Sequence, residues 1–179
     1  MLKLVRLERW HLPLLIDMMD EWTQAESSIT PWSIWKNGQM NYRDYDAYVS
    51  QLEFAQTNER WVKDSVLFAL DEERNRLIGA VNIRHVLNEY LLLHGGHIGD
   101  GVRPSERGKG YGTRIVRLAL EKCLELGIDR VLMVCDKENI PSARTIIKNG
   151  GVLENEVVTE DGIEQRYWID LTRNDKIST

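Results

Sequence analysis

Residues 102–113 read Val102-Arg103-Pro104-Ser105-Glu106-Arg107-Gly108-Lys109-Gly110-Tyr111-Gly112-Thr113. Before them lies a glycine-rich strand, His97–Arg103, which Pro104 ends because it cannot donate to a ladder. After them the spacing predicts a helix over Tyr111–Leu126, with Ile115, Leu118, Ala119 and Cys123 on one face and Gly127 as its stop. Glycines 108, 110 and 112 strip side chains from the turn and from the first helical residues. Bare N–H groups then converge at the positive end of the helix dipole, with the formal charges of Arg107 and Lys109 beside them. A pyrophosphate is the natural guest of such a turn.

Two other owners of glycine turns fit poorly. A P-loop needs four residues between its glycines and a hydroxyl after its lysine; six residues separate Gly101 from Gly108, and Gly110 stands at the hydroxyl position. The dinucleotide fingerprint follows the first strand of its domain, whereas this turn follows about the fourth.

Seven of the 13 glycines fall within residues 95–112, and His85, His94 and His97 lie in or just before that stretch, so the chemistry is concentrated locally. The rest of the 179 residues is ordinary for one globular domain: 42% hydrophobic and 28% charged, which excludes wholesale disorder. A net charge of −5 argues against a nucleic-acid partner. No apolar run approaches the roughly 18 residues that cross a bilayer, and no apolar segment follows Met1–Glu8 as a signal peptide requires, so no membrane and a cytoplasmic location are expected. Two cysteines, Cys123 and Cys135, make no disulfide framework, and Cys135 is expected as a small core residue without a catalytic role.

Outward from the turn, a helix is expected over Arg9–Glu26, with Leu12, Leu15, Ile16, Met19 and Trp22 on one face, and another over Asp44–Gln56, with Tyr45, Tyr48, Val49, Leu52 and Phe54. Ser65–Leu70 and Leu77–Arg84 read as a hairpin across residues 71–75. Arg130–Cys135 reads as a buried strand. Asn139–Asn149 reads as a helix capped by Asn139 with Pro141 in its first turn, and Val152–Thr159 with Ile163–Leu171 as a closing hairpin. The fold class is therefore α+β (α/β) in a single domain, 1–179, in which residues 1–62 are helical. Five of the six tryptophans lie in 1–62; Trp10 and Trp22 are expected in the core, while Trp32 and Trp35 suit either core or a pocket.

The motif Val102-x-Pro104-x-x-Arg107-Gly108-x-Gly110-x-Gly112 resembles the acetyl-CoA signature of the GNAT superfamily of N-acetyltransferases. Asn139-x-x-Ser142-Ala143, on a helix that runs into Gly150-Gly151, is similar to the second motif of that family. The resemblance covers about residues 64–171, with 1–62 as the variable, acceptor-side segment. More narrowly, Asn82-Ile83-Arg84-His85, Leu87-Asn88-Glu89 and Gly95-Gly96-His97-Ile98-Gly99 are similar to a group of bacterial members known only as predicted acetyltransferases. The resemblance implies a central mixed, mostly antiparallel sheet, splayed between strands 4 and 5 and flanked by helices. It implies acetyl-CoA as co-substrate, no metal, and direct transfer of acetyl to a primary amine of a small molecule or peptide in a ternary complex. It implies that the backbone of Arg107, Gly108, Lys109, Gly110, Tyr111, Gly112 and Thr113 holds the pyrophosphate. Gly101 and Val102 would pair with the pantetheine, and Asn139 and Ser142 would line its far side. A homodimer is frequent among such relatives.

Attack by an amine requires a base, since an alkyl ammonium has a pKa near 10. His97 is the first candidate, followed by Glu89 and His85 in the loop expected to face the acceptor; Asp100 is a further carboxylate on the same strand. The tyrosine that many members use as acid is replaced by Ile146, which leaves Tyr167, another group or water. Two other classes compete: a metal site built on His94-x-x-His97 with Glu89 and Asp100, and a CoA sensor that has lost the chemistry.

Overall fold

The computed structural model describes residues 1–58 and 61–173. The expected single domain therefore extends past the described residues at 59–60 and 174–179. Strand β1 (Leu2–Val5) leads through one 3-10 turn into helix α1 (Leu12–Gln24), and a loop with two further 3-10 turns leads to α2 (Tyr45–Leu52). Strands β2 (Asp64–Asp71), β3 (Arg76–Arg84) and β4 (Ile98–Val102) precede helix α3 (Tyr111–Glu125). Strand β5 (Arg130–Asp136), helix α4 (Ile140–Lys148) and the hairpin β6 (Val152–Thr159) and β7 (Gly162–Asp170) follow.

The strands form two sheets, ordered β1-β2-β3-β4 and β5-β7-β6, and every ladder among the described residues is antiparallel. The sheet is thus parted between β4 and β5, as the α+β expectation with a splay there requires. Strand β1 is an addition to the expected element order. Its alternating Leu2-Lys3-Leu4-Val5 is too short for periodicity alone to mark, and it exists because it pairs with β2 from Leu2↔Asp71 to Val5↔Phe68.

Strand β2 is buried along all eight residues because helices cover both faces. Val66, Phe68 and Leu70 pack with Leu15, Met18, Met19 and Trp22 of α1 and with Tyr48 and Leu52 of α2. Leu67 and Ala69 point the other way, to Ile115, Val116 and Ala119 of α3. The stripe of α1 is rotated from the expected one: Met18 joins it, whereas Leu12 and Ile16 are half-buried. Trp10, expected in the core, is 54% exposed because it falls in the 3-10 turn before the helix, where its ring lies over His11. Asp44 caps α2 by accepting the Ala47 N–H at 3.2 Å, and Phe54 lies beyond the helix end.

One buried cation joins these layers. Arg103 has no exposed surface, and its guanidinium donates to Asp17 Oδ2 at 2.8 Å, to the Leu77 carbonyl at 3.0 Å and, through Nε, to Glu21 Oε2 at 2.7 Å. Glu21 Oε1 also accepts the Ser105 N–H at 2.8 Å. Three residues on, buried Glu106 accepts from Arg74 at 3.0 Å, from Arg76 at 2.8 Å and from Lys109 at 3.2 Å. Burial raises the Glu21 carboxyl, but the hydrogen bonds from Arg103 and Ser105 and the Arg103 charge outweigh it and bring the pKa down from 4.5 to about 2. A carboxyl lowered on folding stabilises the protein above its unfolded pKa and loses that contribution as pH falls from 4.5 toward 2. Urea unfolding of Arg103→Ala at neutral pH is expected to show a loss of ~3–5 kcal/mol, as for removal of one partner from a buried ion pair. Glu21→Gln is expected to flatten the loss of stability between pH 4.5 and 2, where the native carboxyl titrates.

Candidate active site

The gap between β4 and β5 is held open by a staple at its base. Gly96 adopts φ +63° and forms an isolated antiparallel bridge with Met133 of β5. A Cβ there would sit 2.4 Å from the Leu132 carbonyl oxygen, so no other residue fits. Next to it the His97 N–H donates to the Leu132 carbonyl at 2.7 Å, and His97 Nδ1 accepts the Leu132 N–H at 2.9 Å. With Nδ1 accepting, Nε2 carries the ring proton, so the neutral ring offers no free lone pair. Burial, aided by the charge of Arg84, lowers the His97 pKa to about 4.

Beyond the staple the gap opens into a cavity of about 810 Å³. Val102, Arg107, Gly108, Gly110, Tyr111, Gly112 and Thr113 line one side of it, and Asn139 and Ser142 line the other. These are nine of the residues expected around the co-substrate. Gly110 caps α3 with φ +81°, and Gly108 has φ +75°. The Arg114 N–H reaches back to the Gly110 carbonyl at 3.3 Å, which leaves the Tyr111, Gly112 and Thr113 amides at the helix start without a helical acceptor. That donor set suits a diphosphate. Asn139 is turned to its own helix: its Oδ1 accepts the Ser142 N–H at 3.2 Å as the cap of α4.

Two expected members stand elsewhere. Lys109 is off the lining, with its ammonium on Glu106. Gly101 is buried and faces the loop before α2: a Cβ on it would lie 2.1 Å from the Thr30 carbonyl oxygen. Its glycine therefore admits that loop against β4. Arg107 bends back, donating from Nε to the Val102 carbonyl at 3.0 Å and from Nη2 to Ser27 Oγ at 3.2 Å.

Asp100, half-buried in the middle of β4, lines the same cavity together with Thr30 and Ser142. Burial raises its carboxyl to about 6. The other titratable candidates are placed differently. Glu89 is exposed on the helical turn that precedes Leu91–Gly95, a turn anchored by the Leu91 N–H on Asn88 Oδ1 at 2.9 Å. His85 Nε2 lies 2.9 Å from Ser65 Oγ, and burial lowers its pKa. Neither lines the cavity. Ile146 fills the core with no exposed surface. Tyr167 is buried on β7, its hydroxyl donating to Gln165 Oε1 at 2.7 Å, and burial raises its pKa. His94 Nδ1 is 2.7 Å from Glu164 Oε2, and no group of three or more metal-ligating side chains gathers among the described residues. Cys135 is buried, and burial raises its thiol.

A second cavity, of about 680 Å³, opens at the end of β3 and is lined by Trp32, Trp61, Phe54, Asp64, Arg84 and His94 among others. Trp32 stacks on Trp61 with centroids 5.4 Å apart, and Trp61 on Phe54 at 4.6 Å. Trp35 instead packs against Tyr42 on the core of α1 and α2. The concentration of tryptophans in 1–62, with Trp32 suited to core or pocket, was the signal for this aromatic wall; which of them meet in it is decided by the fold.

Comparison with known proteins agrees with this geometry. Searched against curated proteins, the chain finds no match. Among solved structures it resembles a spermidine N-acetyltransferase from Vibrio cholerae, with a TM-score of 0.65 at 18% identity over 99% of this chain and 98% of that one. A dodecameric structure of the spermidine N-acetyltransferase from the same organism gives 0.64 at 18% identity over 99% and 98%. A ribosomal-protein-S5-alanine acetyltransferase from Vibrio fischeri gives 0.65 at 12% identity over 96% and 93%. At these identities the likeness speaks for the fold. The acetyltransferase (GNAT) domain matches residues 2–152, most of the chain, and no helix among the described residues is long and apolar enough to cross a membrane. The protein belongs to the GNAT acetyltransferases and is an acyltransferase of a family that uses acetyl-CoA.

Proposed function

We propose that the protein transfers acetyl from acetyl-CoA directly to a primary amine, with the α3 turn holding the diphosphate and Asp100 taking the proton. One observation carries this reading: a single cavity is lined both by the open amides of the glycine turn and by a carboxyl on β4 that has no ion pair among the described residues. Acetyl-CoA supplies the acyl group and a thiolate leaving group. The Tyr111, Gly112 and Thr113 amides and the α3 dipole stabilise the phosphate charge. Asn139 and Ser142 form the opposite wall, where β5 has parted from β4.

The amine attacks as its free base, its ammonium proton having passed to water; as the new C–N bond forms, the nitrogen becomes acidic, and the Asp100 carboxylate takes one further proton from it. The C–S bond then breaks, and the same proton is available to the departing sulfur, so one carboxyl serves in place of the tyrosine that Ile146 replaces. A carboxyl near 6 is mostly ionised at neutral pH and so ready to accept. In this reading His97 is a positioning residue that staples β4 to β5, and Glu89 and His85 take no proton.

Thiol release from acetyl-CoA over an amine panel tests the activity; saturation without release on any amine would favour a CoA-binding sensor. For Asp100→Asn, kcat is expected to fall by about 10²–10⁴. The wild-type rate should rise with pH and level off above about 6, because the ionised form of a raised carboxyl is the active one, and that limb should vanish in the variant. His97→Gln should keep the limb; its loss there and survival in Asp100→Asn would make the histidine the base. Gly110→Ala is expected to weaken CoA binding measured by calorimetry by about 10-fold, since a Cβ at this left-handed position costs roughly 1–2 kcal/mol and disturbs the amides.

A further inference from the structure

We infer that Asn149 is a positioning residue for the co-substrate: its side-chain amide ties the first turn of α3 to the last turn of α4 and so sets the width of the cavity between them. This rests on the reading above, in which that cavity holds acetyl-CoA, and it names a residue outside the cavity on which the holding depends.

The two walls of the cavity follow strands that do not pair. The α3 turn follows β4, α4 follows β5, and those strands stand in separate sheets. A ladder would fix their separation residue by residue, but here the staple at Gly96 and His97 fixes it only at the base. Toward the open end the helices themselves must hold the walls. Ile115 and Ala119 of α3 belong to one apolar cluster with Ala143 and Ile146 of α4. Apolar attraction is non-directional, whereas a hydrogen bond prefers one distance and one direction, so a polar tie is what fixes their mutual level.

Asn149 supplies that tie. It is half-buried at the C-terminal cap of α4, and its Nδ2 donates to the Thr145 carbonyl at 2.9 Å and to the Thr113 carbonyl at 3.2 Å. Both partners are carbonyls, which only accept, so the nitrogen of the amide and not its oxygen faces them. Its two hydrogens serve one helix each. Among the described residues this is the sole hydrogen bond that joins α3 to the α4 segment, and it lands on Thr113, which carries one of the three open amides. Thr113 and Thr145 both line the cavity, and a Cβ built on Gly112 would lie 3.6 Å from Thr145 Oγ1, so a methyl group would span the walls at this point. Asn149 is itself off the lining and acts through those two threonines. The mutual level matters because the ligand spans both walls, its diphosphate on the α3 amides and its pantetheine arm against Asn139 and Ser142. Once one end is seated, a wall that drifts takes the partners of the other end out of hydrogen-bond range.

Calorimetry of CoA with Asn149→Leu tests this, because leucine keeps the volume and removes both donors. CoA is expected to bind at full stoichiometry with Kd raised about 5-fold, the scale of one net hydrogen bond. The KM for acetyl-CoA should rise by the same factor while kcat and the pH limb assigned to Asp100 stay as in the wild type, since ground state and transition state lose the same contact. A merely structural role would instead cut binding stoichiometry and kcat together, as folded protein is lost, and leave Kd and KM unchanged. That outcome overturns the inference, as does a wild-type Kd in a fully folded variant. Asn149→Ser, too short to reach Thr113, is expected to shift Kd in the same sense and carries the test where the leucine variant does not fold. Failure of the wild type to bind CoA would sink the reading on which this rests. Binding by the wild type with an unchanged Kd in the variants would sink the role of Asn149 alone.

Discussion

The buried guanidinium of Arg103 is the constraint on which the rest of the structure depends. A cation with no exposed surface must find its counter-charges inside, and it finds them on α1, at Asp17 and Glu21. That requirement fixes the end of β4 against a helix from the far side of the sheet. Because Pro104 then stops the strand, the chain turns where α3 must begin, and Glu106 gathers Arg74, Arg76 and Lys109 beneath the turn. The glycines above can stay bare because the charges below hold the backbone in place. Lys109, expected beside the open amides, is spent on this support.

The parting of β4 from β5 is the second consequence. Anchored to α1 at one end and stapled to β5 through Gly96 and His97 at the other, β4 diverges from its neighbour in between. Its glycines serve the opposite face. Gly101 lets Thr30 approach, and Gly99 lies against Pro31, so the loop before α2 packs directly on the strand. Thr30 lines one cavity while Trp32 and Ser33 line the other, which makes this short segment a shared wall.

Much of this was legible in the sequence, for reasons that differ by residue. The turn at 108–112 was readable because backbone geometry forces the residue type: left-handed φ at Gly108 and Gly110 leaves few alternatives. The helices α3 and α4 announced themselves through long amphipathic spacing and caps. Strand β1 did not, since four residues carry too little periodicity. Trp10 was misplaced because a helical face extrapolated backward ignores the 3-10 turn that rotates it outward. Gly96 belongs to a glycine-rich stretch that stood out in the sequence, but its cause, the approach of Leu132, is a contact across 36 residues. His97 was expected as a base from unperturbed acidity, a quantity that burial and the charge of Arg84 bring down to about 4. Arg84 was seen as one member of a motif, yet only three dimensions set it directly across the β2–β3 ladder from Asp64.

Asp100 keeps its carboxyl clear of the Arg84 guanidinium because the pleat holds the two apart. In the β3–β4 ladder Val81 opposes Asp100, and Asn82 opposes Gly99. Directly opposed residues share a face, so Asp100 joins Val81, Ile83 and Val102 on the side of α3, whereas Arg84 joins Ala80 and Asn82 on the side of α1 and α2. Were both on one face, the guanidinium would pair with the carboxylate and lower it, and Asp100 would lose its elevated acidity constant. A register slip of one residue would do this, since it exchanges the faces of a whole strand. The register is in turn held by the close approach of Gly79 to the Gly101 carbonyl, where any Cβ would stand 2.0 Å from the oxygen. A contact between two glycines thus helps keep the Asp100 carboxyl on one side of the sheet and the facing charges of Arg84 and Asp64 on the other.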